Sequence, residues 1–445
     1  KDLNFGNIAK NRVAAGVEKL AKAVKSTLGA SGKCVIYEDA RGLPVITKDG
    51  VTVAESVVLI DPVENMGCTL IKEAARNTVK EAGDGTTTAT VLAESLLQEV
   101  NKDTKSTTRE IKDGIKTGLA KVNDYLNKVS VKIEGDMLRS VSSISCNNDD
   151  ELGAIIAEAY TTVGKDGVVL METSESEDTY VEVVDGVQFD CGLTSPHLVT
   201  HEEKQKAELE SPLVLICMSE IPNIRKIQTI LEYVIKNNRA LLIVAPVAQQ
   251  VKSALLMNKN TVITTIEELG EDVENRIDQV AKLVAEEKNG FIKKKLEQRL
   301  SMLSGSVGII KVGADSKVEL KEKKDRVEDA IYATKAALKE GIVSGGGVAL
   351  LNASQKIKPT NVGETMLLNA IKSPFTTILA NAGFEATGYP DEEGVGINVV
   401  TGKETDMIKE GVIDPVLVTK SALKNAVSVV TTIISADCVI SNMRD

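Results

Sequence analysis

The sequence predicts a multidomain α+β/α/β protein in which mainly helical segments flank an inserted α/β module. Three observations predict it. A length of 445 residues exceeds what one core supports and implies about three domains, one of them discontinuous. Apolar residues recurring every three to four positions dominate both ends of the chain. Between about residues 186 and 305 the pattern changes to short β-branched runs alternating with helical ones, the mark of a separate α/β unit.

Each element follows from its own pattern. Over residues 7–28, Val13, Val17, Leu20, Ala21, Val24 and Leu28 recur at helical spacing, predicting an amphipathic helix capped by Gly29. Residues 33–53 are β-branched and punctuated by Gly42, Pro44 and Gly50, predicting a hairpin ending in the turn Thr47-Lys48-Asp49-Gly50. A second helix runs from about Glu64 to Gly83 and a third starts beyond Thr88. Residues 138–164 read as helix, 168–171 as strand and 180–189 as an apolar-rich strand. Inside the α/β module, strands at 213–217 and 240–245 alternate with helices at 224–234 and 251–257. The charged stretch 268–303 reads as a helical hairpin turning at Asn289-Gly290. From Val327 the chain returns to helix, passes the turn Ser344-Gly345-Gly346-Gly347 and ends in further helices.

Composition excludes several classes. With 42% hydrophobic and 26% charged residues the chain is globular, and no apolar run approaches the ~20 residues of a membrane span. A net charge of −11 without a long basic cluster excludes a nucleic-acid or anionic-lipid footprint, and 3% aromatics with no Trp leaves little for base or sugar stacking. Cys34, Cys68, Cys146, Cys191, Cys217 and Cys438 are scattered, predicting reduced, mostly buried thiols and a cytoplasm-like compartment. His197 and His201 lack a Glu-x-x-His frame and read as polar surface rather than a zinc site.

The strongest chemical signal is Gly83-Asp84-Gly85-Thr86-Thr87-Thr88, between two helical patterns. Free amides at a helix N-terminus attract phosphate, the threonines add donors, and Asp84 is a hard oxygen ligand suited to Mg2+. A capped turn is the alternative reading. The segment 27–33 imitates a P-loop but has Thr27 where that motif needs glycine and Cys34 where it needs Ser or Thr. The loop 341–347 is flexible enough for close approach to a ligand or for a plain turn. With only two histidines, no Ser/His/Asp or Cys/His nucleophile stands out, which leaves carboxylate and metal chemistry on a phosphate.

Taken together, these motifs carry a resemblance. Thr27-Leu28-Gly29, Ile46-Thr47-Lys48-Asp49-Gly50-Val51, Glu64-Asn65-Met66-Gly67, the 83–93 segment, Lys321-Glu322-Lys323-Lys324 with Arg326-Val327-Glu328-Asp329-Ala330, Gly345-Gly346-Gly347-Val348-Ala349-Leu350 and Asp414-Pro415 occur in the order of the group I chaperonins, the GroEL family, and span nearly the whole chain. The chain resembles a divergent member. The resemblance implies a chaperonin-type subunit: a mainly helical equatorial domain (1–129 and 340–445), a small intermediate domain (130–185 and 306–339) and an α/β apical domain (186–305). It also implies an ATP-driven folding machine, a homo-oligomeric sevenfold ring, single or double, acting on unfolded client proteins in the cytoplasm, with the need for a co-chaperonin left open. The alternative is a ring-forming holdase or structural assembly without productive ATP turnover.

Carried over residue by residue, the resemblance places Thr27, Leu28, Gly29, Ala30 and Lys48 along the ATP phosphates. It places Asp84 on Mg2+, with K+ as a further candidate ion, and Gly85, Thr86, Thr87 and Thr88 on phosphate oxygens. Gly346, Asn398, Val399, Val400 and Asp414 would hold the adenosine end, Asp329 would deprotonate the attacking water, and Asp49 would assist. Leu193, Leu198 and Leu231 are the candidates for gripping clients; for most of the helical stripe Ile224, Ile227, Ile230, Leu231 and Val234, plain core packing is the competing reading. Departures from the family are concentrated in the apical region: Leu193, His197 and Leu198 replace aromatics, Gln228 replaces an apolar residue, Cys191 an arginine and Ser306 a glycine. The family carries several tens of further residues between Asn260 and Thr261, and 383–398 is shorter than usual. Such a pattern suits a viral or unusual bacterial chaperonin working without a standard lid.

Overall fold

The computed structural model describes residues 1–39, 42–103, 105–133, 135–146, 149–164, 168–174, 176–189, 211–217, 223–244, 261–264, 306–385 and 388–442, with isolated positions between 200 and 283. Strand β1 (Asp2–Phe5) leads into α1 (Gly6–Lys25), which buries the stripe Val13, Val17, Leu20, Ala21 and Val24. The helix ends at Lys25, before Gly29, because Ser26 and Thr27 turn their hydroxyls back onto the carbonyls of Ala23 and Val24.

The hairpin forms as β2 (Val35–Glu38) against β3 (Pro44–Thr47). Beyond Asp49, however, the chain is helical: α2 (Gly50–Ser56) begins there because the Asp49 carboxylate accepts the amides of Val51 and Thr52. Capping chemistry outranks the β-branched composition of this stretch. Asp61 and Pro62 start α3 (Pro62–Ala82), α4 follows at Thr86–Lys102, and a Thr107/Glu110 capping box opens α5 (Thr108–Val129).

Residues 138–164 form two helices rather than one. They are α6 (Met137–Ser145) and α7 (Asp150–Val163), separated because Asp149 accepts the Leu152 amide and caps a new start. Strands β4 (Val168–Thr173) and β5 (Tyr180–Phe189) follow.

Two compact units divide the chain: Lys1–Val183 with Gly308–Asp445, and Val184–Val307. In the second, β6 (Leu213–Ile216) and β7 (Leu241–Val244) pair in parallel, joined through a 3-10 turn and α8 (Gln228–Lys236). The last four residues of β5 pair antiparallel with β8 (Thr261–Thr264). The helix expected at 251–257 lies outside the described residues, as does most of the charged hairpin at 268–303.

The first unit resumes with β9 (Ser306–Val312) and α9 (Lys317–Glu340), which starts well before Val327 because Ser316 accepts the Glu319 amide. Then come β10 (Ile342–Ser344), α10 (Val348–Lys356), α11 (Val362–Ala370), α12 (Ser373–Asn381) and the hairpin of β11 (Val395–Asn398) with β12 (Lys403–Asp406). Strand β13 (Ile413–Pro415) pairs with β10, α13 spans Val416–Ser435, and β14 (Cys438–Ser441) pairs with β1.

This unit holds two main cores. One gathers α1, α3, α4, α5, α10, α11 and α13 around residues such as Leu20, Ile71, Leu92, Ile115, Leu350 and Val430. The other gathers α6, α7, β4, β9 and α9 around Ile156, Tyr160, Ile310, Val327 and Ile331. Contrary to the sequence expectation, α13 is long and apolar enough to cross a membrane, but most of it is buried in the first core. The thiols are less buried than expected. All five described cysteines are free, and only Cys68 and Cys146 are buried, while Cys34 is exposed.

Candidate nucleotide site

The site is built around the junction of α3 and α4. Gly83 closes α3 in the left-handed region (φ 78°), donating its amide to the Val79 carbonyl at 2.7 Å, and Gly85 repeats the left-handed geometry (φ 91°) as the N-cap of α4. A Cβ on Gly85 would lie 2.8 Å from Val418 Cγ1 of α13, so packing as well as backbone geometry demands glycine there. Among the described residues no side chain caps α4. Its first amides are left for an anion, which disfavours the capped-turn reading of this motif. Thr86 is buried, Thr87 and Thr88 are half-buried, and the Asp84 carboxylate accepts the Gly85 amide.

Helix α2 brings Asp49 to this turn. Its carboxylate is held by Val51 N (3.1 Å), Thr52 N (2.8 Å) and Thr52 Oγ1 (2.6 Å). At the other end of α2 the buried Lys72 ammonium donates to the carbonyls of Glu55 (3.0 Å) and Val57 (2.7 Å), and Arg76 grips the Glu55 carboxylate with two bonds. Gly50 packs against the Thr87 hydroxyl so closely that no Cβ fits between them. Sequence reading valued Gly50 only as a turn residue; its real task is to let α2 touch the N-terminus of α4.

Asp329 projects from α9 and Asp414 from β13, opposite Val343 of β10. The four aspartates form one electrostatic group. Burial pushes the Asp84 carboxyl above the usual range, and the Asp49 charge pushes it further. Asp329 is driven up to about 8 by enclosure and then by the charges of Asp84 and Asp49, although it keeps access to solvent. Asp414 is raised to about 7 by burial and by Asp84, against the stabilising amide of Gly346. Enclosed like charges raise one another's pKa in this way when no cation offsets them.

Among the described residues no three carboxylate, thiolate or imidazole groups form a metal cage. Mg2+ needs none. It binds through one or two carboxylates, with phosphate oxygens and water completing its octahedron, so Asp84 beside the uncapped N-terminus of α4 fits the ion.

The first loop is pinned from behind. Asn381, at the end of α12, donates to the carbonyls of Lys25 (2.8 Å) and Leu28 (2.9 Å), and the Lys25 ammonium reaches the buried Glu94 of α4 at 3.0 Å. Thr27 is buried with its hydroxyl on the Val24 carbonyl, Leu28 and Gly29 are half-buried, Ala30 is exposed and Lys48 is half-buried. Sequence reading missed Asn381 and Glu94, whose partners lie far away in the chain and leave no local signal.

The other end is less convergent. Asn398 folds its carboxamide oxygen onto the amides of Val400 (3.0 Å) and Thr401 (3.4 Å), Val399 packs on the cluster of Val348, Phe375 and Met407, and Val400 is 75% exposed. No hydrogen bond among the described residues joins these three to the aspartates; their link to Gly346 runs through Met407. In α8, Ile227 and Val234 are buried and Leu231 is half-buried, while Ile230, Tyr233 and Ile235 are exposed. Leu193 and Leu198 lie outside the described residues, as do Cys191, His197 and His201.

Residues 20–244 and 223–444 match the model of the TCP-1/cpn60 chaperonin family. The chain belongs to that family. Its fold is similar to the chaperonin gp146 from the bacteriophage EL 2 (Pseudomonas aeruginosa), solved in the presence of ATP-BeFx. For crystal form II the TM-score is 0.74 at 19% identity, covering 100% of both chains. For crystal form I it is 0.70 at 18%, covering 99% of each. At these identities the likeness shows the fold, that of a chaperonin subunit along the whole chain, and the protein is a divergent group I chaperonin-like member.

Proposed function

We propose that this chaperonin subunit hydrolyses ATP and uses the resulting domain movement to assist folding of non-native proteins inside a ring of its own copies, with seven subunits per ring as the family precedent. The observation that carries the reading is the meeting of Asp84, Asp49 and Asp329 at the uncapped start of α4. A binding surface alone has no physical use for three mutually repelling carboxylates.

In this reading residues 1–129 and 340–445 form the equatorial domain, 130–185 and 306–339 the intermediate domain, and 186–305 the apical domain with Leu193, Leu198 and Leu231 toward clients. Amides and hydroxyls of 85–88 and the loop 27–30 with Lys48 hold the triphosphate. Gly346, Asp414 and 398–400 hold the nucleoside. Asp84 would hold Mg2+, which supplies charge neutralisation on the β- and γ-phosphates; K+ is a second candidate ion. Asp329 accepts a proton from the attacking water as its oxygen bonds to the γ-phosphorus, and the bond to the bridging oxygen breaks to release ADP and phosphate. Asp49, fixed as the α2 cap, orients that water. The raised pKa makes the ionised Asp329 carboxylate a stronger base, and a cation on Asp84 would favour that ionised form.

The test is ATP turnover of the protein beside its Asp329→Ala variant, with particle mass recorded in the same samples. Large rings that turn over ATP, and lose ~100-fold or more in the variant while still binding nucleotide, are expected. Equal turnover in both removes Asp329 from its role. Rings without turnover in either protein point instead to a holdase.

A further inference from the structure

Helix α9 has two working faces. On one, the Ile331 carbonyl accepts the Tyr160 hydroxyl at 2.8 Å and Thr334 meets Ser142 of α6 at 2.9 Å, which fixes the helix on the second core. On the other, Asp329, Tyr332 and Ala336 recur at i, i+3 and i+7, one stripe of a helix. Opposite that stripe lie Ala82, Gly83 and Asp84. Ala336 is buried in a small cluster with Ala82 and Val418. A Cβ on Gly83 would overlap the Cβ and Cγ of Tyr332, so glycine at the end of α3 doubles as the seat for this ring. Tyr332 is nevertheless 47% exposed, far more than a tyrosine held only for core packing.

From this geometry we propose that Tyr332 is a positioning residue for hydrolysis: its ring, seated on Gly83, sets how far Asp329 stands from Asp84 and the phosphate turn. The proposal rests on the ATPase reading above and deepens it. Asp329 is one helical turn from Tyr332, so a sliding or lifting of the ring on Gly83 is transmitted directly to the carboxylate. The contact is made to Gly83, at the end of α3, and not to 27–30 or 85–88, so its loss is expected to change the rate more than nucleotide affinity.

The experiment compares wild type, Tyr332→Ala and Tyr332→Phe for kcat, KM for ATP and particle mass. Misplacing a catalytic group by about 1 Å costs ~100-fold, so Tyr332→Ala is expected to lower kcat by about 10- to 100-fold with KM within about twofold, and Tyr332→Phe to keep wild-type kcat. Wild-type kcat in the Ala variant overturns the proposal. So does a loss shared equally by kcat and ATP affinity, the mark of general disruption, or a Phe variant as slow as Ala, since the ring and not the hydroxyl makes the contact. A wild type that does not hydrolyse ATP overturns the ATPase reading itself, which distinguishes that failure from the failure of Tyr332 alone.

Discussion

Asp84 and Asp329 belong to one group of mutually repelling carboxylates and both carry raised pKa values, yet they are held in opposite ways. Asp84 sits in a three-residue turn between two left-handed glycines, with α13 packed behind it in the first core. Asp329 rides in the interior of a long helix whose apolar neighbours, Val327, Ala330 and Ile331, belong to the second core. One acid is fixed by local chain geometry and the other by how two cores meet. Under the proposed function the difference teaches that binding and chemistry would rest on separate supports: the first core would shape the phosphate cradle, and the approach of α9 would supply the base. Each prediction below separates those supports.

The largest effect is expected at Asp84. Asp84→Asn keeps the shape of the turn and removes the charge that would hold the divalent ion, so turnover falls ~100-fold or more and the remainder no longer responds to Mg2+. The same change stabilises the fold. For an acid whose folded pKa is raised, stability is fully present below the unfolded value, 3.8, and is lost as pH rises through the folded one, so near neutrality the Asn variant is free of that repulsion. Thermal unfolding at pH 7 alongside a Mg2+ titration of turnover checks both halves. Normal Mg2+ dependence, or a lowered Tm, breaks the assignment of Asp84 as a functional group maintained at the expense of stability.

How much of this was legible follows the same division. The phosphate turn could be read from Gly83-Asp84-Gly85 because the left-handed geometry is a property of two residues and their neighbours. Helix α1 could be read because its buried stripe is periodic. The reading failed where a capping side chain redirected the chain, as Asp49 did in opening α2 and Asp149 in splitting α6 from α7. It also failed where the partner is distant. Gly50 against Thr87, Gly83 against Tyr332 and Asn381 against Lys25 are contacts between segments whose proximity exists only after folding. The role of Asp329 entered through family resemblance, because an aspartate inside a charged amphipathic helix has no local signature of catalysis.

A smaller effect tests whether the first core can be weakened without touching the chemistry. Glu364 of α11 is 1% exposed, and its carboxylate accepts from Lys121 Nζ (2.7 Å), Thr117 Oγ1 (2.8 Å), Thr360 N (2.7 Å) and Thr360 Oγ1 (3.0 Å). Burial alone would raise its pKa, but these donors hold it down to about 2. Stability from this group is therefore present above the ordinary glutamate value of 4.5 and is lost as pH falls toward 2. Glu364→Gln should cost about 2 kcal/mol in urea unfolding at pH 7 and flatten the acid limb between those values. Turnover per folded ring should stay at the wild-type level. A variant of unchanged stability would show that this network contributes no net stabilisation to the first core.

The smallest effect draws the sharpest contrast. Asn381 touches neither phosphate nor aspartate; it fixes the backbone of the first loop by donating to the Lys25 and Leu28 carbonyls. Asn381→Ala removes both bonds and leaves the two carbonyls to water, a net change of about 1 kcal/mol. If, as proposed, the loop 27–30 holds ATP and does not activate water, that energy should appear in binding, raising KM for ATP by about fivefold with kcat within about twofold. This is the mirror image of the Tyr332→Ala expectation, in which kcat falls and KM holds. Opposite kinetic signatures from two residues that never touch substrate are what separate supports require. If both variants instead lost affinity and rate together, the first core and α9 would be acting as one rigid support, and the distinction between the two aspartates would have no functional content.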